Sequence, residues 1–132
     1  MILLDANIFM YAAGAEHPNK QPSTALLAKV ADGSREACID CETLQEILHR
    51  YRAINRWADG RQVYDNACLI VPLILPVTES ILDSARDLLD QYEALSARDA
   101  LHAAVAFTHD IPRICSYDRD FDQIEGLKRV EP

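Results

Sequence analysis

Glycine is scarce in this sequence: only four of the 132 residues are glycine, and neither a glycine-rich phosphate loop nor a Gly-x-Ser-x-Gly element occurs. Kinase, nicotinamide-dependent and serine-hydrolase activities are therefore excluded. Long apolar runs are also absent. The longest, residues 67–77, contains two prolines and is much shorter than the roughly 20 residues of a membrane-spanning helix. We therefore expect a soluble protein that does not enter a membrane.

Cysteine is sparse as well, and four cysteines are too few for a secreted disulfide scaffold. The amino terminus reaches Asp5 after a short apolar stretch, unlike a signal peptide. We therefore expect a cytoplasmic protein with reduced thiols. Cys38 and Cys41 form a Cys-x-x-Cys pair where a redox site could lie, but small buried side chains are the favoured interpretation because no second pair completes a zinc site.

Basic residues are outnumbered by acidic ones, 13 against 21, which gives a formal charge of −8. This balance argues against non-specific binding to nucleic acids, which depends on a basic surface. An acidic enzyme can still act on RNA where a few arginines hold the phosphates. An acidic surface also suits a basic protein partner.

The order of apolar segments predicts an α/β fold. A chain of this length forms one domain, which we assign to residues 1–132. Short strands alternate with amphipathic helices, which indicates a three-layer α/β/α arrangement around a parallel sheet of four to five strands. The predicted strands are 2–4, 37–39, 114–115 and 127–130, with 73–75 as a candidate; the predicted helices are 22–31, 43–57, 61–71, 78–92 and 97–108, with another beginning near Ile8.

Four acidic residues lie where this fold places its chemistry. Asp5 follows the first strand, and Asp118 lies in the turn after the strand at 114–115. Glu46 and Asp99 lie near the starts of two helices. Because helices that follow parallel strands begin at the carboxyl edge of the sheet, all four side chains are expected to converge there.

Each acidic residue also has a purely structural interpretation. Residues 43–46 and 96–99 both match the capping-box pattern, in which the third residue after the cap reaches back to its N–H group. Asp5 and Asn7 are suited to cap the following helix. Residues 118–120 are typical of a turn. Capping and catalysis therefore both remain open for these positions.

Converging carboxylates would repel one another unless a cation balances their charge. All-oxygen ligands favour Mg²⁺ or Mn²⁺ over zinc, which prefers cysteine and histidine. Such an ion would activate a water molecule and neutralise charge on a phosphodiester. Hydrolysis of phosphodiester bonds is therefore the predicted class of reaction.

The chain resembles PIN-domain ribonucleases over nearly its whole length, in particular the VapC-type toxins of prokaryotic toxin–antitoxin modules. Four segments carry this resemblance. They are Leu3-Leu4-Asp5-Ala6-Asn7, Thr43-Leu44-Gln45-Glu46, Ala97-Arg98-Asp99-Ala100-Leu101-His102-Ala103-Ala104 and Tyr117-Asp118-Arg119-Asp120-Phe121.

The resemblance implies a catalytic metal site and its partners. The ligands of Mg²⁺ or Mn²⁺ would be Asp5, Glu46, Asp99 and Asp118, with Asn7 in support and Asp120 as a candidate fifth ligand. The implied activity is endonucleolytic cleavage of RNA. It further implies a homodimer and a cognate antitoxin that inserts a segment into the acidic groove and blocks cleavage.

Several neighbours of these acids are candidates for supporting roles. Arg98 and Arg119 are placed to grip phosphate, and Thr43 is the cap of its predicted helix. His102 is expected to pack beside Asp99 or in the core. Basic and aromatic residues interleave over residues 49–61, which is typical of base stacking with phosphate contact, of a solvated face with Arg50 paired to Glu46, or of a protein interface.

Two other functions are weighed against the nuclease. A metal-dependent phosphatase is disfavoured because Asp5-Ala6-Asn7 lacks the second aspartate that such enzymes commonly place two residues after the nucleophile. A catalytically inactive PIN-like binding module is the alternative from another class. The presence of all four acids argues against it, although the sequence alone does not show that they converge.

Overall fold

A five-stranded parallel sheet forms the centre of the computed structural model, which describes residues 1–132. Its strands are β1 (Ile2–Leu4), β2 (Ala37–Asp40), β3 (Ile74–Leu75), β4 (Arg113–Cys115) and β5 (Lys128–Val130). They are ordered β3-β2-β1-β4-β5, and each neighbouring pair is parallel. The prediction of four to five parallel strands is confirmed, and the candidate at 73–75 contributes the short strand β3.

Six helices cover the two faces of this sheet. They are α1 (Ala6–Ala13), α2 (Lys20–Ala31), α3 (Cys41–Ala53), α4 (Trp57–Ile70), α5 (Glu79–Gln91) and α6 (Ala97–Thr108), and a short 3-10 helix spans Arg119–Gln123. None of these helices is both long enough and apolar enough to cross a membrane.

The alternation of side chains along the buried strands creates two separate cores. In β1, Ile2 and Leu4 join the core beneath α1 to α4, whereas Leu3 joins the core beneath α5 and α6. Neighbouring strand residues point to opposite faces, so a fully apolar strand serves both layers. The predicted three-layer α/β/α architecture is confirmed.

The predicted helix at 43–57 is wrong at both ends. It begins at Cys41, because the Asp40 carboxylate caps α3 by accepting from the Thr43 N–H at 2.9 Å. It ends at Ala53, and the chain then turns through Asn55, whose φ is +58°. The capping-box prediction for 43–46 is therefore wrong, since the cap lies three residues earlier.

The break between α3 and α4 allows these two helices to pack closely. The second helix begins at Trp57 rather than at the predicted residue 61. A Cβ atom on Gly60 would lie only 2.3 Å from the Cβ atom of Tyr51. Glycine is therefore required where α4 crosses α3. Smaller differences of two residues occur at the starts of α1 and α2, which begin at Ala6 and Lys20.

Candidate active site

Asp5 lies at the carboxyl end of β1, where it caps α1 and also faces a groove. Its carboxylate accepts hydrogen bonds from the Ala6 N–H at 2.7 Å, the Asn7 amide at 3.1 Å and the Ser116 hydroxyl at 2.5 Å. Asn7 also donates to Ser116 at 3.1 Å. The structural and functional interpretations of Asp5 are therefore compatible, since one carboxylate fulfils the cap and remains part of the groove.

Glu46 and Asp99 approach Asp5 from helices on opposite faces of the sheet. Glu46 lies in the second turn of α3 and is 8% exposed. Asp99 lies in the first turn of α6 and is 7% exposed, and the Ser96 hydroxyl caps that turn by accepting from the Asp99 N–H at 3.2 Å. The predicted cap at Ser96 is confirmed.

Asp118 closes the groove from the loop after β4. Its backbone N–H donates to the Ser116 hydroxyl at 3.0 Å, and its carboxylate accepts from the Asp120 N–H at 2.9 Å. Oxygen atoms of Asp99, Asp118 and Asp120 lie within 4.8 Å of one another. Asp120 itself is exposed.

One cavity of about 300 Å³ is lined by the four acids Asp5, Glu46, Asp99 and Asp118. The structure thus brings together all four predicted ligands, with Asn7 and Arg98 beside them. The rest of the cavity lining consists of Ala6, Met10, His49, Arg50 and Ala53. Three other predicted residues, Thr43, Arg119 and Asp120, are not part of this lining.

Thr43 and Arg119 lie elsewhere for different reasons. Thr43 is completely buried, and its hydroxyl donates to the Leu4 carbonyl at 3.2 Å. It therefore ties α3 to β1 beneath the groove. Arg119 is exposed at the start of the short 3-10 helix.

Only the beginning of the basic and aromatic stretch at 49–61 reaches the cavity. His49 and Arg50 line it, one turn beyond Glu46 on α3. Arg52 instead lies over the Trp57 ring, 5.2 Å from its centroid. The pairing of Arg50 with Glu46, one of the three interpretations of this stretch, is not formed; Arg98 instead approaches the Glu46 carboxylate at 3.5 Å.

Burial and mutual repulsion make the carboxylates difficult to ionise together. Burial raises the pKa of Asp99 to about 6, and the negative charges of Asp118 and Asp5 contribute to this rise. Burial also raises the pKa of Asp5. The charge of His102 and the hydrogen bond from Ser116 oppose this rise, and the negative charge of Glu46 adds to it. A bound cation would remove this repulsion, so the electrostatics favour a positively charged ligand.

Asp40 and His102 form a buried pair beneath the groove. His102 Nδ1 lies 2.7 Å from Asp40 Oδ2, and both side chains are completely buried. Burial disfavours the charged form of each residue. The interaction nevertheless raises the pKa of His102 well above its usual value and holds the pKa of Asp40 below its own.

Asp40 was not predicted as a site residue, although its place in the sequence carries a signal. Asp40 follows a buried strand, as Asp5 does, and β2 lies beside β1 in the sheet. The neighbouring carboxyl edge of that strand was therefore a place to look for a further acid. Of the two placements predicted for His102, beside Asp99 or in the core, the core is confirmed, and its partners there are Asp40 and Glu46.

The donor set fits a hard divalent cation. Three acids of the groove are almost fully buried and supply only oxygen atoms toward it, which is the chemistry that Mg²⁺ and Mn²⁺ prefer. His102 Nε2 also lies within 4.8 Å of oxygen atoms of Asp5 and Glu46, but a ring nitrogen that donates a hydrogen bond has no lone pair for a metal. The thiols lie outside this cavity.

Comparison with known proteins gives a consistent family. The PIN domain family matches residues 2–127. The chain is 45% identical over 130 residues to ribonuclease VapC13 of Mycobacterium tuberculosis, which covers 98% of this chain and 99% of that protein.

Solved structures share the same fold. The crystal structure of VapC20 of Mycobacterium tuberculosis, a sarcin-ricin loop cleaving toxin, matches with a TM-score of 0.81 at 18% identity and covers both chains completely. A toxin–antitoxin complex from Klebsiella pneumoniae matches with a TM-score of 0.66 at 18% identity, covering 96% of this chain and 95% of that one. The chain therefore belongs to the PIN-domain family and, within it, to the VapC ribonucleases.

Proposed function

We propose that this protein is a metal-dependent endoribonuclease that acts as the toxin of a toxin–antitoxin pair. One observation carries this proposal: Asp5, Glu46, Asp99 and Asp118 come from four separate parts of the chain and line a single cavity. The relative that is 45% identical over nearly the full length is a ribonuclease, which supports RNA as the substrate.

The same acids are the proposed ligands of Mg²⁺ or Mn²⁺. Asp5, Asp99 and Asp118 would bind the ion directly, with Asp120 close to the last two. When bound, the cation supplies the positive charge that lowers the pKa of a water molecule and neutralises the phosphodiester. Glu46 would complete this ligand set, because its carboxylate is held in place by Arg98 and His102.

The basic side chains around the cavity are the proposed phosphate contacts. His49 and Arg50 line the groove from α3, and Arg98 lines it from α6. Arginine and histidine in these positions would hold phosphates on either side of the cleaved bond, while the acids act between them. Arg119 is exposed near Asp118 in sequence and would contact RNA farther out.

A protein partner is the second part of the proposal. The Klebsiella pneumoniae protein with this fold is part of a toxin–antitoxin complex. An antitoxin segment with a basic side chain would be attracted to the buried acids and would block the groove. We further propose that the chain forms a homodimer and acts in the cytoplasm as a single PIN domain.

The proposal is tested by incubating purified, partner-free protein with a mixed RNA pool in Mg²⁺, Mn²⁺ or EDTA. Asp5→Asn and Asp99→Asn, each with a circular dichroism spectrum like that of the wild type, should abolish metal-dependent cutting. Asp90→Asn is the matched control, because Asp90 is exposed on α5 and should cut as the wild type does.

Other outcomes lead to other functions. Intact RNA with wild-type protein, or equal cutting by all variants, would favour an inactive PIN-like binding module whose acids serve only structural roles. Metal-dependent hydrolysis of a phosphate monoester without RNA cleavage would instead favour a phosphatase.

A further inference from the structure

His102 lies beneath the candidate metal site and faces carboxylates on both sides of its ring. It lies on α6, one turn after Asp99, and has no exposed surface. Its Nδ1 faces Asp40 Oδ2 at 2.7 Å, and its Nε2 faces Glu46 Oε2 at 3.4 Å and Asp5 Oδ1 at 3.7 Å. A carboxylate can only accept hydrogen bonds, so the ring is arranged to donate to carboxylates on both sides.

Asp40 fixes the ring through a carboxylate that has two separate partners. One oxygen accepts from the Thr43 N–H at 2.9 Å and begins α3. The other accepts from His102 on α6. Asp40 therefore ties the helix that carries Glu46 to the helix that carries Asp99, across the carboxyl edge of the sheet.

Stability alone is a poor explanation for this arrangement. Buried charged groups must be removed from water, and well-packed apolar side chains of similar volume often give equal or greater stability. In metal sites, by contrast, groups that hydrogen-bond to a ligand fix its orientation and strongly affect affinity.

We propose that His102, held by Asp40, is a positioning residue that fixes the Glu46 carboxylate relative to Asp5 for metal binding. This inference rests on the proposed metal-dependent nuclease. Its consequence is that metal affinity depends on the His102 Nε2 donor and not merely on a filled interior.

Two substitutions of the same residue separate these roles. The amide nitrogen of Asn reaches the position of Nδ1, so His102→Asn keeps a donor to Asp40 and loses the donor to Glu46. The longer His102→Gln places its amide nitrogen near Nε2 and keeps the donor to Glu46. Both variants are polar and smaller than histidine, so each serves as the other's packing control.

The first measurement is the Kd for Mn²⁺ of metal-free protein by calorimetry, together with the melting temperature. We expect His102→Asn to raise this Kd about 10-fold to 100-fold, the usual effect of removing such a supporting group. His102→Gln keeps the donor to Glu46 but loses the contact with Asp40, so its Kd should lie between those of the wild type and His102→Asn. In cleavage of a short fluorogenic RNA, His102→Asn should lower kcat and leave KM unchanged.

A second variant keeps the test valid if His102→Asn does not fold. Asp40→Ser retains a hydroxyl that can cap α3, but this side chain is too short to reach Nδ1 and therefore releases the ring. Folded Asp40→Ser should also weaken Mn²⁺ binding.

The outcomes separate this inference from the function on which it rests. Equal Mn²⁺ affinities for the two His102 variants, or a wild-type affinity for Asp40→Ser, would overturn the positioning role even if the wild type cuts RNA. A wild type that neither binds Mn²⁺ nor cuts RNA would overturn both proposals.

Discussion

At the scale of single residues, burial makes the ionised form of the acids in this groove unfavourable unless a cation balances their charge. Asp99 shows this most clearly, because burial and the charges of Asp118 and Asp5 raise its pKa to about 6. A carboxyl group whose pKa is raised on folding binds its proton more tightly in the native state. Its ionised form therefore destabilises the folded protein, and this effect becomes complete as the pH rises through 6.

Asp99→Asn should therefore stabilise the metal-free protein. In EDTA at pH 7.5 we expect a gain on the order of 1–2 kcal/mol, after allowing for the lost interaction of the charge with the N-terminus of α6. The advantage should shrink as the pH falls from 6 toward 4, where the wild-type carboxyl becomes protonated. Urea unfolding at several pH values measures this, and a variant less stable than the wild type at pH 7.5 would contradict it.

The cysteines give a second prediction at this scale. Burial raises the pKa of Cys38 to about 11 and that of Cys115 to about 12, whereas Cys41 is exposed. Cys38 and Cys41 are therefore unsuited to act as a redox pair, because the reactive form of a thiol is the thiolate.

Titration of native protein with a thiol reagent at pH 8 should label Cys41 rapidly and leave Cys38 and Cys115 unlabelled until urea is added. Cys41→Ser should remove the fast phase. Rapid labelling of Cys38 in the folded protein would contradict the assigned burial.

At the scale of elements, local signals predicted some boundaries well and missed others. The helix at 97–108 was predicted at both ends, because Ser96 is a strong cap and Pro112 ends the connection that follows. The break near Asn55 was missed because an apolar helical pattern continues across it. The helix stops with Asn55 at a φ of +58° and with the Arg56 N–H donating to the Tyr51 carbonyl at 2.8 Å, so asparagine was a local stop signal that the prediction overlooked.

Residues of the candidate site were predicted only where a local signal marks them. Asp5, Glu46, Asp99 and Asp118 could be predicted because each lies beside a recognisable strand end or helix start. The pairing of Asp40 with His102 joins residues 62 positions apart, and no local pattern specifies which buried acid meets which histidine. Its recognition required the order of β1 and β2 in the sheet.

Gly60→Ala tests whether the close packing of α3 against α4 requires glycine. Alanine is the better helix former by about 1 kcal/mol, but its Cβ atom would meet that of Tyr51 at 2.3 Å. We expect a net destabilisation of about 1–3 kcal/mol, the typical cost of overpacking. Gln62→Ala, an exposed position on the same helix, is the control and should be neutral or slightly stabilising in thermal unfolding. A stabilised Gly60→Ala would show that α3 and α4 separate readily.

At the scale of the whole molecule, a net charge of −8 must be reconciled with a polyanionic substrate. Much of the positive charge is already paired: Arg56, Arg61 and Arg86 each form ion pairs with neighbouring acids on the surface. Arg50 differs, because it lines the cavity and has no such acidic partner. Binding should therefore depend on a few local cations rather than on the overall field.

Arg50→Gln should lower the salt dependence of RNA binding as well as the affinity. Loss of one phosphate contact on a single strand changes the slope of log K against log salt by about 0.7. The measurement is fluorescence anisotropy with labelled RNA at several salt concentrations, in the cleavage-deficient Asp99→Asn background. Arg86→Gln is the matched control, because Arg86 pairs with Asp83 and Asp87 on α5 and lies outside the cavity. Equal slopes for the two variants would mean that RNA approaches the acids from another side, with Arg98 or Arg119 as the next residues to test.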